Sequence, residues 1–311
     1  MVEQSAWILR FGELGLKSKA VRKGFKKTLR KNLMQLAVDS GVPLIRGRER
    51  HQDMVYSSAP AETVENLLAH ALGIAAYERV KALGENVDPT HVATLLLEND
   101  SDFGTARTFG VRVKRLGQRG EWNTMAYAAA LGSALCEQDP ALSVDLTKPS
   151  RWYRMILEPH QIAHIETRKD GPGGLPAGVQ GDVVAQINTL DDFLSAFLIL
   201  RRGTRIIPVL ESKQDHLEVL QKWDPYIGRR SRMRDEAGVS HIRPAWGVTG
   251  MSVLDAEPFI EQREDDIKTT PLCTLHPLMG WTELEKECLY KHILDPLHHP
   301  LHPDVESWIH S

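Results

Sequence analysis

The residues with the clearest chemical potential form a short turn at 188–192 (NTLDD). An apolar run at 182–187 precedes the turn, and a helix-like pattern at 193–201 follows it. In a strand–turn–helix unit, the N–H groups of the turn point beyond the carboxyl end of the strand, where anions and nucleotides bind. The turn is therefore the first candidate for a nucleotide site.

The composition of this turn is poorly suited to phosphate. Several N–H groups converge on a phosphate at close range where residues lack a Cβ, and an uncompensated carboxylate repels a dianion. Here Asn188 and Thr189 are followed by the adjacent carboxylates Asp191 and Asp192, and glycine is absent. These residues indicate a nucleotide-site scaffold with a degenerate loop.

The elements around the turn predict a small α/β domain. A Gly- and Pro-rich loop, DGPGGLPAGVQG at 170–181, precedes the strand, and a second buried strand is predicted at 205–210. A strand, a helix and a strand joined by a short crossover favour a parallel, right-handed βαβ unit. Further helices are predicted at 213–223 and 282–291, and a third strand at 246–249.

The first 80 residues predict a ferredoxin-like fold. The pattern predicts strands at 6–11, 44–48, 53–57 and 75–80, a long helix from residue 20, and a second helix at 61–71. This βαββαβ order is that of the ferredoxin-like fold. In the long helix, Phe25, Leu29, Leu33 and Leu36 recur at helical spacing on the buried side.

The middle of the chain combines two helices with a basic strand. Helices are predicted at 87–99 and 123–137, and strands at 108–115, 143–146 and 153–158. In the strand at 108–115, the apolar side chains alternate with Arg112 and Lys114, so we expect a charged face on one side of it.

The charge distribution favours a polyanionic partner. The net charge is −3, but residues 1–50 carry twelve Lys and Arg against four Asp and Glu, which leaves −11 for the remainder. A concentrated positive field favours a polyanion, and RNA is the expected one. The alternative for these basic residues is a solvated helix or strand face.

Length and composition predict an ordinary globular protein of two or three domains. The chain has 311 residues, of which 42% are hydrophobic and 25% charged. No segment approaches the roughly 20 apolar residues of a membrane span, and residues 1–12 lack the order of a signal peptide. We therefore expect a cytoplasmic protein without membrane contact. Its three cysteines lack metal or CxxC spacing and are expected to be reduced thiols.

Several motifs resemble the tRNA 4-thiouridine synthetase (ThiI-like) family, over essentially the whole chain but more weakly after Gly181. They are RFGELGLK at 10–17, the basic strand VRVKR at 111–115, GPGGLPAGVQG at 171–181, VTG at 248–250 and HPLMG at 276–280. The resemblance implies an N-terminal ferredoxin-like domain at 1–75, a THUMP RNA-binding domain at 76–172 and a PP-loop-like parallel-sheet domain at 173–311. It places Gly171, Gly173, Gly174 and Pro176 in the loop between the last two domains.

The family's PP-loop pattern, Ser-Gly-Gly-x-Asp-Ser, is only partly present. Asp191 matches the motif's aspartate, Asn188 and Thr189 replace the glycines, and Asp192 replaces the last serine. In the family, ATP adenylates the target uridine and a persulfide cysteine delivers sulfur. No cysteine occurs at 294–300, where the family's sulfur carrier is found. Cys288 fits a packing position, so Cys273 would be the choice for a reactive thiol.

The resemblance and these departures together predict a tRNA-binding protein whose nucleotide domain is inactive, with no catalytic residue and no cofactor. We expect contacts with phosphates at the acceptor end of tRNA, and we expect an adaptor for a separate modifying enzyme and a homodimer. The expected RNA-binding residues are Arg10, Lys17, Lys19, Arg112, Lys114 and Arg115. The alternative is an active sulfurtransferase that binds ATP with Mg²⁺ through a divergent loop. A third possibility gives the altered pocket another small ligand or a structural role.

Four histidines near the C-terminus, His292, His298, His299 and His302, raise the question of a metal site. Imidazole is a common ligand for Zn²⁺ or Ni²⁺, but prolines interrupt this segment and no cysteine or carboxylate completes a set. We therefore expect surface histidines and no metal.

Overall fold

The computed structural model describes residues 5–12, 18–48, 51–98, 100–117, 120–209, 212–229, 246–248 and 273–301. The chain divides into two compact units that alternate along the sequence. The first contains Met1–Leu9, Ile45–Ser58 and Glu78–Lys169, and the second contains Arg10–Leu44, Ala59–Tyr77 and Asp170–Ser311. No helix in these described ranges is long and apolar enough to cross a lipid bilayer.

A large mixed sheet of eight described strands lies mainly in the first unit. Its strands are β1 (Ser5–Arg10), β2 (Leu44–Arg46), β3 (Met54–Ser57), β4 (Ala76–Gly84), β5 (Arg107–Arg115), β6 (Leu142–Val144), β7 (Arg151–Glu158) and β8 (Gln161–Asp170). Their order across the sheet is β2-β3-β1-β4-β8-β7-β5-β6. β5 runs parallel to both of its neighbours, whereas β7 pairs with β8 and β1 pairs with β3 in antiparallel fashion. The predicted mixed α/β class is confirmed.

Two helices cover one face of the first unit's sheet. These are α3 (Pro89–Leu97) and α4 (Thr124–Gln138), whereas α1 (Lys19–Asp39) and α2 (Ala61–Ala69) belong to the second unit's part of the chain. Of these, α3 packs on α4, and α4 packs on β5. Phe109, Tyr127, Leu131 and Tyr153 are buried where α4 meets the strands. Asp88 and Asn123 cap the N-termini of α3 and α4 through their side chains.

The first 84 residues follow the predicted order of strands and helices. β1, α1, β2, β3, α2 and β4 succeed one another as a βαββαβ sequence. Leu29, Leu33 and Leu36 of α1 are buried as expected, whereas Phe25 is only half-buried. Ser18 begins the helix by accepting a hydrogen bond from the N–H of Val21.

The second unit contains a smaller sheet in which all described strands are parallel. Its strands are β9 (Asp182–Ala185), β10 (Arg205–Pro208), β11 (Trp246–Val248) and β12 (Cys273–Leu275), in the order β10-β9-β11-β12. Its helices are α5 (Leu190–Arg201), α6 (Gln214–Gln221) and α7 (Glu283–Leu294). The predicted parallel βαβ unit is therefore present as β9, α5 and β10.

Helix α5 forms the centre of the second unit's core. Phe193, Leu194, Phe197 and Leu200 are each at most 1% exposed and pack in one cluster with residues of the sheet, α6 and α7. A helix that is apolar on nearly every side is expected only where other elements surround it. The start of α5 is thereby held rigidly at the carboxyl end of β9.

Candidate functional site

Helix α5 begins at Leu190, three residues earlier than the sequence pattern predicted. The expected turn at 188–192 is therefore replaced by a connection at 186–189, since β9 ends at Ala185 and α5 already includes 190–192. The early start of the helix has a specific cause. Thr189 is the N-cap residue, and its Oγ1 accepts a hydrogen bond from the N–H of Asp192 at 3.1 Å. The Asp192 carboxylate returns to Thr189, so the two residues form a capping box that extends the helix toward the strand.

The Asp192 carboxylate accepts hydrogen bonds from two backbone N–H groups of the loop between β9 and α5. Its Oδ2 accepts the N–H of Asn188 at 3.1 Å and the N–H of Thr189 at 2.9 Å. The side chain is buried, at 5% exposure. A carboxylate at a helix N-terminus satisfies the same N–H groups that would otherwise bind an external anion. These two amides are already hydrogen-bonded within the chain.

Asp191 makes an ion pair with helix α7. Its Oδ2 lies 2.9 Å from Nζ of Lys286, which also lies 3.0 Å from Glu283. The hydrogen bond to Asp191 raises the pKa of Lys286. Asp191, the residue that matches the PP-loop aspartate, is thus engaged by a lysine that the sequence analysis did not single out.

Strand β5 presents two of the predicted basic residues together. Arg112 and Lys114 are exposed and alternate with half-buried Val111 and Val113, which pack into the core of the first unit. Strand geometry puts both cations on the same face. The predicted charged face of this strand is therefore present.

Arg115 is turned away from the other two basic residues of β5. It is half-buried, and its Nη2 donates to the carbonyl oxygen of Trp122. Because successive strand residues point to opposite faces, Arg115 lies on the face opposite to Lys114. The guanidinium of Arg115 holds the loop that precedes α4.

The remaining predicted RNA-binding residues lie near the start of the chain. Arg10 ends β1, and its carbonyl oxygen accepts the N–H of Ala75 at 2.7 Å. Lys19 is the exposed first residue of α1, whereas Lys17 lies outside the described residues. On α1, the Nζ of Lys26 lies 4.5 Å from the centre of the Phe11 ring.

The glycine-rich loop is tied to the segment that precedes β4. Gly171 donates its N–H to the carbonyl oxygen of Ala75, and Gly173 donates to that of Ile74, both at 2.9 Å. A Cβ at Gly171 would lie 2.3 Å from the Ile74 oxygen. Glycine is required at this position because the two backbones approach so closely.

Other residues of the same loop contact the end of α5. Gly174 has φ of +65°, and a Cβ there would lie 2.5 Å from the carbonyl oxygen of Arg201. Arg201 is fully buried, and its Nε donates to the carbonyl oxygen of Pro172 at 3.0 Å. A Cβ at Gly73 would lie 2.8 Å from Cγ of Pro176. These contacts give the loop a structural role within the second unit.

The expectation of surface histidines is wrong for His292. This side chain is 3% exposed, its ring lies 5.5 Å from that of Trp223, and its Nδ1 lies 2.9 Å from the carbonyl oxygen of His299. Burial disfavours the charged form and lowers the pKa of His292 to about 4. His292 is therefore a neutral core residue. Its position on the buried side of α7 decides its burial, although histidine is a polar residue type.

His298 and His299 are exposed, and both lie beside Asp295, at 3.0 Å and 3.8 Å. Among the described side chains, no cluster of three or more His, Cys, Asp or Glu could hold a metal ion. His302 lies outside that part of the chain.

The cysteines offer no defined reactive thiol. Cys288 and Cys136 are free and half-buried, and burial raises the pKa of the Cys136 thiol. The backbone of Cys273 begins β12, but its side chain is outside the described residues. Its predicted reactivity therefore stays a prediction.

The sequence analysis missed two residues beside Arg112. Trp152 of β7 lies under the Arg112 guanidinium, whose Cζ is 3.8 Å from the ring centre. Arg154 is aligned with Arg112 across the β5–β7 pair. A signal for Trp152 was available in Gly110, since a glycine within a strand often marks a close approach of another group.

Two relatives of this chain are named as a tRNA sulfurtransferase or a probable one. The chain is 30% identical over 211 residues to the probable tRNA sulfurtransferase of Methanobrevibacter smithii, which covers 64% of this chain and 52% of that protein. It is 29% identical over 202 residues to the tRNA sulfurtransferase of Haemophilus influenzae, which covers 63% of this chain and 41% of that protein. The chain thus spans about half or less of the length of these relatives. No protein-family model matches it.

Two solved structures share the fold. The crystal structure of PH1313 from Pyrococcus horikoshii matches with a TM-score of 0.69 and 20% identity, over 93% of this chain and 99% of that one. A 4-thiouridine synthetase–RNA complex with bound ATP matches with a TM-score of 0.66 and 18% identity, over 99% of this chain and 94% of that one. At these identities the similarity concerns the fold.

Proposed function

This chain is a relative of the ThiI-like tRNA 4-thiouridine synthetases, and we propose that it binds tRNA without using ATP. It acts in or near tRNA modification, as an adaptor for a separate modifying enzyme, and the expected homodimer belongs to the same proposal. The ferredoxin-like domain at 1–75 and the THUMP domain at 76–172 bind the acceptor end. The domain at 173–311 keeps the PP-loop scaffold without its activity.

The proposal of an inactive nucleotide domain rests mainly on one observation. The N–H groups of Asn188 and Thr189 donate hydrogen bonds to the Asp192 carboxylate. A triphosphate at this helix start would have to displace a buried carboxylate from both N–H groups. Its negative charge would also stand beside Asp191 and Asp192, and like charges at short range repel strongly in a partly buried site. The loop therefore favours its own carboxylate over an external anion.

The cationic face of β5 supports the RNA-binding half of the proposal. Arg112 and Lys114 are exposed on a strand that pairs with β7 along this whole stretch. Exposed Arg and Lys on one face neutralise phosphates and release counterions, which gives affinity that falls steeply with salt. The basic residues of α1 are a separate positive region, which belongs to the second unit.

Calorimetry with Mg-ATP tests the nucleotide half. The expected result is no heat of binding at millimolar nucleotide for the wild-type protein. The competing function, an active ATP-dependent tRNA sulfurtransferase with a divergent loop, is favoured by the names of the relatives and by the retained Asp191. A micromolar site that Asp191→Ala abolishes would favour that competitor and overturn the proposal that the chain does not use ATP.

A tRNA titration tests the other half. The double variant Arg112→Glu/Lys114→Glu should bind tRNA at least about 10-fold more weakly at low salt, and its log–log salt slope should be shallower by about two. Lys213→Glu is the matched control, because Lys213 is exposed and a carboxylate at the N-cap position of α6 is compatible with the helix. Binding that is absent in the wild type, or unaffected by the double variant, would reject tRNA binding through β5.

A further inference from the structure

The indole ring of Trp152 lies over Gly110, where the absence of a side chain leaves room for it. Trp152 is aligned with Gly110 across the parallel β5–β7 pair. A Cβ at Gly110 would lie 2.5 Å from Cζ3, 2.8 Å from Cε3 and 2.9 Å from Cη2 of the indole. Any residue other than glycine would displace the ring, so Gly110 is needed here for space, and its φ is not in the left-handed region.

The guanidinium of Arg112 lies over this indole ring. Its carbon atom lies 3.8 Å from the ring centre, which is the separation of two planar groups in contact. Arg112 itself is exposed. A guanidinium that rests one face on an aromatic ring is fixed in orientation and leaves its second face available to solvent, since the stack restricts the otherwise flexible side chain.

Three cationic side chains lie close together on this face of the sheet and would attract an anion. Arg154 is aligned with Arg112, so two cations lie on adjacent strands, where Cα atoms are about 5 Å apart. Like charges directly opposite each other on neighbouring strands are destabilising. Lys114, two residues beyond Arg112, adds a third positive charge on the same face. A bound phosphate would relieve this repulsion.

From these contacts we infer that Gly110, Trp152 and Arg112 form a stacking site for one unpaired RNA base. The base stacks on the outer face of the Arg112 guanidinium, and Arg154 and Lys114 receive the adjoining phosphate. Arginine planes and aromatic rings are the surfaces on which proteins stack unpaired bases, whereas duplex RNA is contacted through its phosphates and 2′-hydroxyls. Trp152 is a positioning residue in this site. The inference rests on the proposed RNA binding.

The test compares a 12-nucleotide oligo(A) single strand with a blunt RNA duplex of 12 base pairs. Arg112→Lys keeps the charge but replaces the plane with a point charge. It should weaken binding of the single strand about 10-fold and binding of the duplex less than about threefold. Gly110→Ala and Trp152→Ala should show the same selective loss of single-strand binding, although neither substitution changes the charge. Trp152→Phe keeps an aromatic ring and should bind the single strand nearly as tightly as the wild type.

Tryptophan fluorescence provides an independent readout. Oligo(A) should quench part of the wild-type emission, and this part should be missing in Trp152→Phe while its affinity is retained. Equal losses for single strand and duplex in Arg112→Lys would overturn the stacking site and leave RNA binding intact. A wild-type protein that binds neither RNA would overturn the proposed function as well. Because Arg112 is exposed, Arg112→Lys is expected to fold, which circular dichroism verifies.

Discussion

The side chains of Thr189 and Asp192 cap each other's backbone at the point where β9 leads into α5. The Thr189 hydroxyl accepts the N–H of Asp192 at 3.1 Å, and the Asp192 carboxylate accepts the N–H of Thr189 at 2.9 Å. This arrangement satisfies amides that a nucleotide-binding helix start would direct at phosphate. The same contacts that stabilise the helix therefore disfavour a nucleotide at this position.

The first prediction concerns this cap. Asp192→Ala should lower the free energy of unfolding by about 1 to 2 kcal/mol, because the N–H groups of Asn188 and Thr189 lose their buried carboxylate acceptor. Urea denaturation at pH 7 measures the change. The control is Glu285→Ala, which removes the corresponding carboxylate from the exposed Thr282 capping box of α7. Its effect should be smaller, and an equal effect would contradict the special role of the buried cap.

The second prediction concerns the glycine-rich loop. Gly174 and Gly41 have nearly the same φ, +65° and +66°, but only Gly174 faces a backbone oxygen, that of Arg201 at 2.5 Å from an added Cβ. Gly41→Ala should lower the free energy of unfolding by about 1 kcal/mol, the strain of a left-handed alanine. Gly174→Ala should lower it by at least about 3 kcal/mol, because the clash with a fixed carbonyl is added.

Thermal denaturation of both variants provides the comparison. If Gly174→Ala is no less stable than Gly41→Ala, the close approach of the loop to the end of α5 is incorrect.

The sequence predicted those elements whose pattern is local. The period of α1, the alternation in β5 and the apolar run of β9 are each visible in single segments, because one face or one run is buried. β8 was missed, since Gln161–Asp170 buries only Ile162 and Ile165 and is otherwise polar. β12 was missed because it has three residues and is defined by pairing with β11.

The functional candidates were also predictable only where the signal is local in the sequence. The absence of glycine from 188–192 indicated a poor phosphate site, but the filling of the loop depends on which way Asp192 turns. The capping-box spacing of Thr189 and Asp192 was the available signal. His292 was misjudged because its residue type is polar, although it adjoins buried Leu289 and Ile293 on α7. Trp152 and Arg112 meet only through strand pairing, which sequence spacing does not reveal.

The third prediction concerns a buried carboxylate in the first unit. The Asp100 side chain is 1% exposed and lies 2.7 Å from both Arg107 and Arg151. Burial alone would raise the pKa of Asp100, but the N–H of Asp102 and the two arginines outweigh burial and lower it. Asp100→Ala should lower the free energy of unfolding by about 2 kcal/mol, because Arg107 loses its nearer carboxylate partner and keeps only Asp139, at 3.4 Å.

Arg151→Ala is the control for this network. Its side chain is 45% exposed, so solvent screens its ion pair and the loss should stay below about 1 kcal/mol. Urea denaturation of the two variants measures the difference. Similar losses would show that the pair between Asp100 and Arg107 is not the stabilising contact.

The fourth prediction concerns the pH dependence of stability. The pKa of His292 falls from 6.5 to about 4 on folding because the ring is buried. Between these pH values the unfolded chain binds a proton that the folded chain excludes, so stability is complete above pH 6.5 and declines as pH falls toward 4. The decline from this residue is on the order of 3 kcal/mol.

His292→Phe keeps a flat ring against Trp223 and Phe197 but cannot titrate. Urea denaturation at pH 7, 6 and 5 should therefore show a shallower decline for this variant than for the wild type. His164, whose pKa burial also lowers to about 4, contributes equally to both proteins. An unchanged slope in His292→Phe would mean that His292 is already accessible to protons in the folded state.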